Sequence, residues 1–111
     1  MGNHGDLLRG ALESLVLEAI DKGATYGYAI ARSLEELSQG ELVTKEGSLY
    51  PALHRLEKQG LLKARWQDSP QGRPRKHYQL TGLGRKHLAA QRDAWSRFSR
   101  VVNRILGVDH A

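Results

Sequence analysis

The 111-residue chain has no cysteine, which excludes disulfides, thiolate zinc sites and thiol redox sensing. Aromatic residues make up only 6% of it, and no exposed aromatic sheet motif of the kind that stacks unpaired RNA bases is present. No apolar run approaches the length needed to cross a bilayer. The opening residues, Met1-Gly2-Asn3-His4-Gly5-Asp6, lack a signal-peptide pattern, so a cytoplasmic protein without membrane association is expected. Catalytic signatures are missing as well. Ser48 stands in Glu46-Gly47-Ser48-Leu49, without the second glycine of a nucleophile elbow. There is no phosphate-cradling glycine loop and no His-Glu-x-x-His helix. His54 and Glu57 are three residues apart but lack a third ligand, and His4, His77, His87 and His110 are scattered. The expectation is a protein that binds rather than catalyses, with no metal and no cofactor.

What is present is a basic charge in one place. The net charge is +5, but residues 54–86 carry nine Lys/Arg against Glu57 and Asp68, leaving the remainder slightly acidic. A basic zone so confined suits a polyanionic partner, the bland alternative being an ordinary solvated surface.

Periodicity supplies the frame. Leu8, Leu12, Leu15, Val16, Ala19 and Ile20 repeat at helical spacing, predicting a first helix from roughly Leu7 to Lys22, closed by Gly23. Thr25 is placed to cap a second helix, with Tyr26, Ile30, Leu34 and Leu37 along one side. A third helix opens between Thr44 and Ser48, runs to Gln59 and stops at Gly60. Pro51 is compatible with a start near Gly47 or Ser48, because the first turn has no internal partner for its backbone N–H groups.

Alternation follows. Leu62, Ala64 and Trp66 point to one face, and Lys63, Arg65 and Gln67 to the other. Asp68-Ser69-Pro70-Gln71-Gly72 is loop chemistry, and Lys76, Tyr78 and Leu80 alternate with Arg75, His77 and Gln79 on the return. Thr81 then starts a long helix to about Leu106. The predicted class is mainly α with a small β-hairpin: a winged helix-turn-helix over residues 1–80, then a C-terminal dimerisation helix and short tail over 81–111.

In the third helix Leu49, Leu53 and Leu56 share a narrow arc and must face the core. Gly47, Pro51, His54 and Lys58 lie opposite, flanked by Ser48 and Arg55 on one side and Tyr50 on the other. Ser48, His54 and Arg55 are the expected readers of bases or nearby phosphates. Lys45, Tyr50 and Lys58 are expected to hold the DNA backbone, and Pro51 can touch a thymine methyl. In the hairpin, Arg73 and Arg75 flank Pro74 and precede Lys76, a basic tip suited to a narrow, electronegative minor groove. An amphipathic helix with a wet outer face and a solvent-exposed turn are the plain alternatives.

These pieces resemble the PadR group of bacterial transcription regulators. The resemblance rests on Tyr26-Gly27-Tyr28-Ala29-Ile30, on Gly47-Ser48-Leu49-Tyr50-Pro51-Ala52-Leu53-His54-Arg55-Leu56-Glu57, and on Gly72 to Thr81 followed by Gly84. It spans residues 7–107, with His77 as a departure where many relatives place another aromatic residue. It implies a homodimeric winged-helix regulator, often a repressor relieved by a small molecule. It also implies the compact subgroup with a single C-terminal helix.

Gly84, Leu88, Gln91, Trp95, Phe98, Val102 and Ile105 step by fours and threes, the spacing of a helix seam, and a monomer would leave much of it wet. A homodimer is therefore expected, reading a pseudo-palindromic stretch of double-stranded DNA through recognition helices ~34–36 Å apart or a multiple of it. In the multidrug-responsive subgroup a Trp matching Trp95 stacks flat aromatic compounds between subunits. By resemblance Trp95 and Phe98 line either a site for a planar aromatic effector or plain dimer core. From a different class stands the alternative of a protein-interaction or small-molecule-sensing module on a winged-helix scaffold that does not bind DNA.

Overall fold

The structure, a computed structural model, describes the backbone of residues 4–108 and the side chains of residues 11–108. Among these it contains four helices and one antiparallel hairpin: α1 (His4–Asp21), α2 (Gly27–Leu37), α3 (Glu46–Lys58), β1 (Leu62–Asp68), β2 (Pro74–Leu80) and α4 (Gly82–Leu106). The expected class, mainly α with a small hairpin, is the observed one.

The central element is α1, which packs against α2, α3, β2 and α4. An encircled helix must be apolar on more than one stripe. Val16, Ala19 and Ile20 are buried as the periodicity predicts, but so is Leu17, which the single stripe omitted. Leu15, expected in the core, is instead 40% exposed and borders a groove between α1 and α4. Leu8, on the predicted apolar face, lies outside the described side chains.

From α2 come Ile30 and Leu34 to the same core, while Leu37, the last residue of the helix, is exposed. The N-cap falls to Tyr26 and not to Thr25. Thr25 pairs its hydroxyl with His77 Nδ1 at 2.8 Å, and its carbonyl accepts the Tyr78 N–H at 2.7 Å. With its hydroxyl engaged by His77, Thr25 does not cap α2.

Leu49, Ala52, Leu53 and Leu56 of α3 are buried. The helix begins at Glu46, with Leu49 N–H already bonded to the Lys45 carbonyl at 2.9 Å. Pro51 is therefore the sixth residue of the helix, two positions deeper than a start at Ser48 would place it, and it removes one i→i−4 bond, to Gly47.

In the hairpin Leu62 pairs with Leu80, Ala64 with Tyr78, Arg65 with His77 and Trp66 with Lys76. Leu62, Tyr78 and Leu80 are buried, but Trp66, on the same face two residues nearer the tip, is 67% exposed.

Thr81 caps α4 by accepting the Gly84 N–H at 2.9 Å, and its hydroxyl donates to the Gly60 carbonyl at 2.6 Å. Gly84 and Leu88 are buried inside the protomer. A Cβ at Gly84 would stand 2.1 Å from the Leu61 carbonyl oxygen, so only glycine lets α4 approach the backbone leading into β1 so closely. The Ser14 hydroxyl bonds Gln91, and Arg92 grips Glu18 (2.7 Å) and Asp21 (2.9 Å) of α1. Beyond Arg92 most side chains of the helix are exposed, and the molecule measures 53 × 31 × 29 Å. The predicted seam is thus divided: Gly84, Leu88 and Gln91 pack within the protomer, while Trp95, Phe98 and Ile105 are exposed.

Candidate nucleic-acid interface

The outer face of α3 and the basic hairpin form the candidate surface. Lys45, Ser48, Pro51, His54 and Lys58 are all exposed on or beside that helix, opposite its leucine face. Its two flanks are occupied by neighbouring elements. On one flank Arg55 is half-buried, and its Nε lies 3.4 Å from Oε1 of Glu13 on α1. On the other, the Tyr50 ring lies over the first turn of α2, where a Cβ on Gly27 would come within 2.5 Å of the hydroxyl. Tyr50 remains 47% exposed, its hydroxyl at the positive end of α2.

Alternation along β2 sends the hairpin cations in different directions. Lys76 faces α3, where its Nζ donates to Glu57 at 3.0 Å and lies 5.5 Å from the Tyr78 ring centroid. The hydrogen bond to Glu57 raises the Lys76 pKa above the ordinary lysine value, so the ammonium keeps its charge. Arg75 faces the start of α2. Its guanidinium stacks 4.1 Å from the Tyr26 ring centroid and donates to Gln71 at 3.0 Å. Tyr26 in turn tilts against His77, with 5.4 Å between ring centres. Arg73 is exposed at the tip, beside Gly72, where the loop closes through a Gly72 N–H to Ser69 carbonyl bond of 2.9 Å.

Lys45, Ser48, Pro51, His54 and Lys58 therefore lie together on one helix face, with Lys76 tied to the same helix. Arg55 turns toward α1 and Arg75 toward α2. Sequence reading missed Glu13, Gly27, Tyr26 and Gln71, which hold Arg55, Tyr50 and Arg75. Their partners lie 42, 23, 49 and 4 residues away, and only the Gln71–Arg75 spacing is short enough to suggest a contact in advance. Such a surface, donor-rich with two paired acids, can hold a polyanion without bond-making chemistry.

At the far side, the groove of about 290 Å³ between α1 and α4 is lined by Leu15, Leu88 and Trp95 among others. Trp95 meets Phe98 edge-on, with 5.9 Å between ring centres. Val102 is half-buried and Ile105 exposed further along α4.

Among the described residues no helix is long and apolar enough to cross a membrane. The model of the transcriptional regulator PadR-like family matches residues 16–90. A PadR-like transcription factor from Bacteroides fragilis superposes with a TM-score of 0.77 at 36% identity, covering 91% of this chain and 95% of that one. A PadR-like regulator from Bacillus cereus gives 0.77 at 31% identity, covering 94% and 99%. The transcriptional regulator Rv3488 of Mycobacterium tuberculosis is 41% identical over 68 residues, which are 61% of this chain and 63% of that one. With that match taking in α2, α3, the hairpin and the buried start of α4, the chain belongs to the PadR-like family of transcriptional regulators.

Proposed function

We propose that this regulator binds double-stranded DNA as a cytoplasmic homodimer on a pseudo-palindromic operator and represses transcription until a planar aromatic effector binds. The observation that carries the reading is the joining of α3's exposed basic face to the hairpin through Glu57–Lys76, which makes one continuous surface. In this reading Ser48, His54 and Arg55 contact bases or adjoining phosphates. Lys45, Tyr50 and Lys58 hold the backbone, and Pro51 lies against a thymine methyl. Arg73, Arg75 and Lys76 serve the adjacent groove and its phosphates.

The division of labour is residues 1–80 for DNA and 81–111 for dimerisation, with Trp95, Phe98, Val102 and Ile105 as the paired face. Exposed apolar side chains along the C-terminal half of α4 support that pairing. Effector binding at Trp95 has a path to the DNA face. Bonds from Gln91 and Arg92 fasten α4 to α1, and Glu13 fastens α1 to Arg55 of α3. A tilt of α4 thus moves α1 and changes the placement of the recognition helix.

The test combines operator gel shifts with tryptophan fluorescence. Promoter fragments from the host genome, including the one beside its own coding region, should compete over mixed DNA with steep salt dependence, near −0.9 in log–log slope per phosphate neutralised. Planar aromatics should quench Trp95 and weaken that complex. Salt-independent or absent binding favours the protein-interaction alternative. Quenching with unchanged DNA affinity removes the effector mechanism.

A further inference from the structure

Two carboxylates border the proposed DNA surface, and each already holds one of its cations. Glu13 engages the Nε edge of Arg55 at 3.4 Å, from a side chain 21% exposed. Glu57 accepts from Lys76 Nζ at 3.0 Å, from a side chain 34% exposed. Neither pair is a freely solvated contact. Each joins two elements: α1 to α3, and α3 to β2.

A surface selected for affinity alone would leave both cations unpaired. A phosphate that takes Lys76 must displace Glu57, and one that takes Arg55 must sit beside the negative charge of Glu13. That penalty falls on complexes held through phosphate at these cations, whereas in a matching complex Arg55 stays on Glu13 and spends its terminal nitrogens on a base edge. The gain from base contacts at Ser48, His54 and Arg55 comes only on a matching sequence. Opposition to the phosphate term lowers non-specific binding in absolute terms and widens the gap to the correct site. Glu13 also leaves the terminal nitrogens of Arg55 for a base edge while holding the side chain at its Nε.

We infer that Glu13 and Glu57 are specificity-determining residues, which suppress sequence-independent phosphate binding by Arg55 and Lys76. The inference rests on the DNA-binding reading above.

The experiment uses the full chain and a labelled mixed-sequence duplex in fluorescence anisotropy across a salt series. Glu13→Gln and Glu57→Gln keep shape and hydrogen-bonding capacity while removing charge. Each should tighten mixed-sequence binding and steepen the log–log salt slope by about 0.9, the double variant by about 1.8. Selection from a randomised duplex pool should enrich a less defined sequence than the parent does. On a Lys76→Ala background Glu57→Gln should leave the slope unchanged. Glu57 lies at the surface, so its variant keeps the test open should Glu13→Gln fail to fold. Unchanged slopes in folded variants would overturn the inference, as would lost sequence preference without a slope change. If the parent binds neither mixed nor selected duplex, the DNA-binding reading itself fails. If the parent binds and Lys58→Ala weakens it while the glutamine variants track the parent, this inference alone fails.

Discussion

Substituting Gly84 by alanine tests what sets the direction of α4. Gly84 is the third residue of that helix, and its N–H is already committed to the Thr81 hydroxyl. An added Cβ would lie 2.1 Å from the Leu61 carbonyl oxygen, 3.1 Å from its carbon and 3.3 Å from Leu80 Cδ2. A carbon–oxygen contact normally needs about 3.3 Å or more, so the two backbones must separate by roughly 1 Å. Leu61 is buried, and its carbonyl also accepts the Thr81 N–H at 3.1 Å, so it cannot swing aside as a side chain would. Overpacking of this kind costs about 3 kcal/mol, offset by the roughly 1 kcal/mol by which alanine exceeds glycine as a helix former. The net loss of about 2 kcal/mol should lower the melting temperature by on the order of 10 °C.

Circular-dichroism melts at matched protein concentration measure this, with Gly82→Ala as the control. A Cβ there meets nothing within 4 Å, so that variant should melt with the parent or slightly above it. A Gly84→Ala protein that melts at or above the parent temperature would refute the contact as the determinant of α4 placement. In the dimeric reading the displaced helix should also alter operator half-site spacing, because its root sets the angle between subunits.

Two further outcomes follow from the same geometry. Gly27→Ala would push a Cβ to within 2.5 Å of the Tyr50 hydroxyl, a side-chain end that can move. The fold should survive with a loss of about 1 kcal/mol or less, while DNA affinity falls by roughly tenfold as the hydroxyl leaves its place; anisotropy equal to the parent's would count against a role for Tyr50. The hydrogen bond from Arg92 holds the Glu18 carboxyl down to about 2 from the ordinary value of 4.5. A depressed carboxylate stabilises the folded state fully above its unfolded pKa and less as it protonates. Stability should therefore decline as the pH drops from about 4.5 toward about 2, and Arg92→Ala should flatten that limb in chemical denaturation. An acid limb equally steep in Arg92→Ala would show that other carboxylates govern it.

The amphipathic periods and the punctuation between them were legible in the chain. Leu49, Leu53 and Leu56 recur at a helical interval whatever surrounds them, and Thr81 with Gly84 announces a helix start by local chemistry. Two-residue alternation on either side of the Asp68–Gly72 loop indicated the hairpin, while its register, with Leu62 opposite Leu80, came from the structure. Those are short-range properties, determined by residues within a few positions of one another. The same short range misassigned Thr25 as a cap, because its real partner, His77, lies 52 residues on.

Tertiary structure alone decided which outward side chains of α3 remain available. Arg55 and Tyr50 flank the groove-facing side symmetrically in projection, yet one is drawn to Glu13 of α1 and the other laid over Gly27 of α2. It likewise separated Arg75, stacked on Tyr26, from Lys76, paired with Glu57, although the two are adjacent in the chain. It also divided the apolar stripe of α4 at Arg92, where the grip on Glu18 and Asp21 ends. Helical and strand periods tell which way a side chain points; the charge and shape it meets there are set by segments that only the packed core brings alongside.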